Sequence, residues 1–307
     1  MAVLDQWLNG CIETLNMAAV LNKSDITGEM LRRRTRPCPP LRDIVESIWI
    51  QDGGNHPAHR TPSTVLPTGT VEILFHYGDL ISHLEPEGAV AMPRTYVTGQ
   101  RSRPVSVVSN GHLRIVIVSL FPWGLSTLFP GGTEASDGYV DLKLLLTSKR
   151  VTQLEEQLAL ANGVAQRVRL VESFLREIRH REIDRKMAVA AQMLCGQGSQ
   201  RPIQQASSAL EISERHLSRQ FKAAVGLQPS VFMRIMRFQR VIRARRRLRE
   251  PWAAIAADCG YSDQAHLIRD VREFSGQAPG QIILDSGAGS SIFNGEGASD
   301  FFDTVYM

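Results

Sequence analysis

Cysteine is scarce in this chain. Four residues in 307 (Cys11, Cys38, Cys195 and Cys259) are too few and too scattered for a disulfide framework or a zinc site. Cys195 and Cys259 sit among alanines and leucines, where a reduced thiol acts as a small hydrophobe. No run of about 18 apolar residues occurs, which excludes a membrane-spanning helix. The N-terminus lacks a basic stretch followed by an apolar core and a small-residue cleavage site, so a cytoplasmic protein is expected. Neither a glycine-rich phosphate loop nor a G-x-S-x-G nucleophile elbow is present. Histidines are few and poorly placed for a metal. His56 and His59 flank Pro57 in a loop, and His76 and His83 are separated by Gly78 and Asp79. Neither pair offers two ligands on adjacent strand positions with a carboxylate. No catalytic residue, metal or cofactor is therefore expected.

What remains is an ordinary globular composition, 43% hydrophobic and 21% charged, in a chain long enough for two domains. The net charge of +4 conceals an uneven distribution. Between Ser213 and Arg249 there are eleven Arg or Lys and a single acid, Glu214, whereas residues 285–307 hold four acids and no Arg or Lys. A basic run alone reads as a solvated helix face. Here it lies within and between two helix-turn-helix patterns, and so supplies the phosphate attraction that nucleic-acid binding needs.

The chain divides by pattern. Residues 1–36 read as a loosely attached extension, with Arg32-Arg33-Arg34 near its end. From Leu41 to about Ser119 short apolar runs alternate with Gly, Pro and Asn. These are Ile44–Ile50, Thr70–Tyr77, Val105–Val108 and Leu113–Leu120, the last two joined by the hairpin signal Ser109-Asn110-Gly111-His112. Val71, Ile73, Phe75 and Tyr77 alternate with Glu72, Leu74 and His76, the period of a strand. A compact β domain is expected over 37–148, with Glu72 and His76 on one face, solvent-exposed or lining a pocket. Residues 149–183 read as two helices broken at Asn162-Gly163. Their apolar stripe either packs on the β domain or forms a dimer seam. Residues 184–284 are helical throughout. The Gly- and Ser-rich tail 285–307 has no periodicity and is expected to be disordered.

The two helix-turn-helix patterns cover 203–223 and 252–274. In the first, Ser213 is a good N-cap, Leu217 and Phe221 fall on the buried face, and Arg215, His216, Ser218, Arg219 and Lys222 face out. In the second, Asp263 caps, Leu267, Val271 and Phe274 pack inward, and Gln264, Ala265, His266 and Arg269 face out. Arg grips guanine, and Gln grips adenine, with two hydrogen bonds in the major groove. Arg219 and Arg269 occupy the same position in the two units. Each unit ends alike, in Gly226-Leu227-Gln228-Pro229 and Gly276-Gln277-Ala278-Pro279.

The strings Ser-Glu-Arg-His-Leu-Ser-Arg-Gln-Phe-Lys (213–222), Gly-Leu-Gln-Pro (226–229), Arg-Phe-Gln-Arg (237–240) and Gly-Tyr-Ser-Asp-Gln-Ala-His-Leu-Ile-Arg-Asp (260–270) resemble the AraC/XylS-type transcription regulators. The resemblance covers about 185–284. It implies a seven-helix DNA-binding domain whose two recognition helices enter successive major grooves of promoter DNA. Matched residue by residue, the base-contacting positions are Arg215, His216, Ser218, Arg219, Gln264, Ala265, His266 and Arg269. The chain departs from the pattern in the first unit. Ala206-Ser207 stands where the family tends to have Leu-Ala, and Glu211 replaces the usual Gly at the turn. The front half resembles, through Leu66-Pro67-Thr68-Gly69, Val97-Thr98-Gly99 and Phe121-Pro122-Trp123-Gly124, a cupin-like domain found before this module in many bacterial regulators. Such domains sense a small molecule or hold a dimer together. The expected protein is an α+β multidomain regulator with double-stranded DNA as partner. A homodimer, a small-molecule effector and RNA polymerase are its further candidate partners. The alternative from another class is a metal-dependent cupin enzyme fused to a DNA-binding module.

Overall fold

The computed structural model of the chain describes residues 31–52, 62–131, 137–196, 201–247 and 251–282. The expected disordered tail, most of the expected extension, and His56 and His59 lie outside the described residues. The architecture is α+β, with two antiparallel sheets followed by helices.

The larger sheet has six strands in the order β1 (Leu31–Thr35), β2 (Val45–Asp52), β9 (Arg114–Leu120), β4 (Val71–His76), β7 (Thr95–Thr98), β10 (Tyr139–Asp141). The smaller has four, β3 (Ser63–Val65), β8 (Val105–Ser109), β5 (Ile81–Glu85) and β6 (Gly88–Ala91). Strand β1 falls inside the segment expected to be a loose extension. Its residues pair with β2 from Leu31↔Asp52 to Thr35↔Ile48, so this part of 1–36 belongs to the sheet.

β4 explains how the layers stack. All six of its residues are buried, so both faces are covered. Val71, Ile73 and Phe75 join Ile48, Ile50, Val116 and Val118 in a core shared with Val151, Leu154 and Leu158 of α3 (Ser148–Leu160) and Val171, Phe174, Leu175 and Ile178 of α4 (Val164–Ile178). The apolar stripe of the connector is thus spent on the sheet and is not available as a dimer seam. Leu74, Tyr96, Ile115 and Ile117 face the other way, onto Val65 and Ile81 of the smaller sheet.

Glu72 and His76 share that inner face and are not exposed, at 7% and 1% of their free area. Glu72 lies beside Ser119, which in turn opposes Ser47, and its carboxylate lies 3.8 Å from the Arg101 guanidinium. Burial raises the Glu72 carboxyl above its ordinary range. His76 stacks on Tyr96, and burial lowers its imidazole to about 4, leaving it neutral at physiological pH. His83 stands on the other sheet, paired with Glu85 at 3.5 Å. Among the described residues no three His, Cys, Asp or Glu side chains gather as metal ligands.

The connector turns at Gly163, whose φ of 89° suits a residue without a side chain. Arg167, on the first turns of α4, reaches back to the end of α3. It donates to the carbonyls of Leu158 and Ala161 at 3.2 and 2.9 Å, lies over Tyr77, and meets Asp52 at 3.4 Å. Replacing it with alanine orphans buried carbonyls, which cost about 1–3 kcal/mol each to leave unpaired. Arg167→Ala should therefore lower the denaturant midpoint clearly. Arg167→Lys, which cannot serve both carbonyls and the carboxylate at once, should recover only part of the loss.

Candidate nucleic-acid interface

Among the described residues six α-helices follow the connector. They are α5 (Arg185–Cys195), α6 (Pro202–Ala209), α7 (Glu214–Val225), α8 (Pro229–Arg247), α9 (Trp252–Asp258) and α10 (Gln264–Ser275). A 3-10 turn, Pro279–Gln281, follows α10, so the described residues hold six of the seven helices that the resemblance implies. α6–α7 and α9–α10 are the two helix-turn-helix units, and α8 packs on both α7 and α10.

The second helix of each unit is punctuated alike. Ser213 accepts a hydrogen bond from the backbone N–H of His216 at 3.2 Å, and Asp263 accepts one from His266 at 2.6 Å. Gly226 and Gly276 end the helices in the left-handed region, at φ 92° and 71°, with their N–H groups donating to Lys222 and Arg272. Pro229 and Pro279 then open the next element. Leu217, Phe221, Leu267, Val271 and Phe274 are fully buried. Arg215, Arg219, Gln264, Ala265 and Arg269 are exposed, whereas His216, Ser218 and His266 are half-buried.

Both histidines are engaged within the protein. His216 Nδ1 lies 3.2 Å from the Arg219 guanidinium. His266 Nδ1 lies 3.2 Å from the Ser262 hydroxyl, and its ring meets Tyr261 edge-on. These contacts steady the two side chains on the outer face.

The turns differ in one respect. In the first, Glu211 donates to Ser208 and Ile212 to Ser207; in the second, Gly260 donates to Ala257 and Tyr261 to Ala256. This is the same closing motif, and it demands a left-handed residue. Gly260 adopts φ 77° at no steric cost, but Glu211 is held at φ 56°. For a residue with a Cβ that conformation costs about 1–2 kcal/mol. The first unit also enters its cap one residue sooner, because Ile212 directly precedes Ser213 while Ser262 intervenes before Asp263.

Four of the basic residues of α8 have partners on neighbouring helices. Arg234 binds Asp270 and Glu273 of α10, and Arg237 lies over Tyr261. Arg240 donates to the Cys195 carbonyl at the end of α5, and Arg245 lies over Trp252 of α9. These arginines tie helices together. The cationic groups left on the outer faces of the recognition helices are Arg215, Arg219, Lys222, Arg269 and Arg272, all exposed. In sequence a helix of arginines looks the same whether its partners are phosphates or neighbouring helices. The acid at 270, on a face otherwise apolar, was the one available signal.

Residues 206–283 match the family described as a helix-turn-helix domain. This part of the chain is an AraC-type helix-turn-helix domain. The AraC-type domain binds DNA, and the work of its family is transcription regulation rather than catalysis. Residues 33–137 match a domain of unknown function (DUF6597). No curated protein matches the chain. Among solved structures it is similar to ToxT from Vibrio cholerae at 7% identity, with a TM-score of 0.40 over 82% of this chain and 96% of that one. A second ToxT structure, bound to (E)-4-(8-methylnaphthalen-1-yl)but-3-enoic acid, aligns at 8% identity and 0.41 over 82% and 96%. A third, bound to an unsaturated fatty acid, aligns at 9% and 0.40 over 84% and 95%. Identity and TM-score are both too low for these likenesses to bear on site or ligand.

Two outcomes follow for the AraC-type domain. Glu211→Gly should stabilise it by about 1 kcal/mol by relieving the left-handed strain, read as a higher midpoint of thermal unfolding. The Asp263 carboxyl is held below its ordinary value, chiefly by the His266 N–H. Its folded value is the lower one, so the cap stabilises above the unfolded value near pH 4 and is lost as pH falls through the folded value. Amide protection factors (exchange relative to the intrinsic rate at each pH) in the first turn of α10 should therefore fall in that acid range, and Asp263→Asn should remove this change in protection.

Proposed function

We propose that the chain is a sequence-specific transcription regulator whose α7 and α10 enter adjacent major grooves on one face of promoter DNA. In this reading Arg215, His216, Ser218 and Arg219 contact one groove, and Gln264, Ala265, His266 and Arg269 the next. The single observation that carries it is the matched pair. Two capped helices, fifty residues apart in sequence (Ser213 and Asp263, Arg219 and Arg269, Gly226 and Gly276), present an exposed arginine at the same helical position. The division of labour is residues 37–148 as sensor or dimerisation domain, 149–183 as connector and 184–284 as reader.

Control by a small molecule, a homodimer, contact with RNA polymerase and a cytoplasmic location belong to the same proposal. No described helix is long and apolar enough to cross a membrane. Because α3 and α4 bury their stripe on the sheet, a homodimer would have to use another surface, such as the one bearing the exposed Leu144 or Leu160.

Selection of duplexes from a random library by the full-length protein supplies the probe. On the selected duplex, Arg219→Ala and Arg269→Ala should each lose about 1–3 kcal/mol and relax preference at one base position. Unchanged affinity and preference in Arg269→Ala would show that α10 does not read.

A further inference from the structure

The two reading helices are held by different means. α7 lies under the β domain, where α1 (Leu125–Leu128) packs against it. Leu66, Phe121 and Trp123 belong to the same apolar cluster as Leu217 and Phe221. Gln239 of α8 donates to the Pro67 carbonyl at 2.5 Å, and the Met236 methyl occupies the space a side chain on Gly69 would need. The second unit instead has a charged clamp. The Arg234 guanidinium gives Asp270 Oδ1 two hydrogen bonds, at 3.0 and 2.7 Å, and Glu273 two more, at 3.2 and 2.5 Å. It lies over the Phe274 ring, 5.1 Å from its centre.

Asp270 is only 2% exposed and is the neighbour of Arg269 in sequence. A carboxylate so buried is tolerated only with a fixed cationic partner, and a bidentate guanidinium fixes direction as well as distance. The clamp joins residues one turn apart on α10, so it restrains rotation of that helix about its own axis. Rotation is what would swing Arg269 away from a base edge. Fifty residues earlier the corresponding positions are Gln220 and Ala223, which cannot form such a clamp.

We propose that Arg234 is a positioning residue for DNA recognition by the second unit, setting the rotation of α10 through Asp270 and Glu273 without touching DNA. This rests on the two-groove reading above. The test is hydroxyl-radical footprinting and binding of the full-length protein on the selected duplex, across a salt series, for Arg234→Ala, Arg234→Lys and the near-isosteric Asp270→Asn. Arg269→Ala is run in parallel.

Arg234→Ala should lose protection and base preference in the second-unit half of the site while keeping the first-unit half. Affinity should fall about tenfold or more, the scale of one lost base contact. Arg234→Lys, a point charge with no fork, should fall between wild type and alanine. Asp270→Asn should repeat the half-site loss in a well-folded protein. The salt slope should not change, because no phosphate contact is removed. A slope shallower by about one charge would make Arg234 a phosphate contact and overturn the proposal. Equal weakening of both halves, in step with lost thermal stability, would reduce it to a structural residue and also overturn it. An unaltered footprint in Arg234→Ala and Asp270→Asn beside a clear loss in Arg269→Ala defeats the clamp alone. No loss in Arg269→Ala defeats the reading on which the clamp rests.

Discussion

A helix of seven or eight residues joined by a tight turn to one of twelve buries too little apolar surface to hold its own geometry. Each helix-turn-helix unit in this protein must therefore be braced by something larger, and most of the architecture answers that need. α8, nineteen residues long, runs between the units and lends them a common wall through Phe232, Ile235, Phe238 and Val241. Its arginines then fasten the wall to α5, α9 and α10. The β domain supplies the rest, closing over α7 with α1 and the Phe121–Trp123 stack.

The β domain obeys a related constraint. A sheet with one face on helices and the other on a second sheet has no solvent-facing side for its polar residues. Ser47, Glu72, His76 and Ser119 nevertheless stand on the inner face. Desolvation is the dominant force on Glu72 and His76, and it drives both toward their neutral forms. Glu72 has Arg101 near it, and His76 leans on the Arg94 carbonyl.

Most of the AraC-type domain was legible in the chain itself. Caps, glycine stops and prolines act within a few residues of where they occur, so Ser213, Asp263, Gly226 and Gly276 could be placed without tertiary information. The outward and inward residues of α7 and α10 followed from helical spacing for the same reason. The long strands β2, β4 and β9 were visible through their apolar runs. β3, β5, β6, β7 and β10 were not, being three to five residues long and dependent on pairing partners far away in sequence. Glu72 and His76 were misplaced because alternation identifies two faces of a strand but not what covers each. The partners that the α8 arginines find on other helices were not legible, because a charge has no address until its partner is known, and Asp270 lies thirty-six residues from Arg234.

The contact at Gly69 bears on how such a protein can be taken apart. Leu66, Phe121 and Trp123 share one apolar cluster with Phe232 and Met236, so the chain has no clean seam between its sheets and its C-terminal helices. A fragment cut at residue 184 would carry a bare apolar patch where the β domain had been, and would be prone to self-association. By the same token a new front half could be grafted onto this helical domain only if it brought a turn of the same shape, glycine included. The two halves have thus been shaped against each other, and neither is a free-standing cassette.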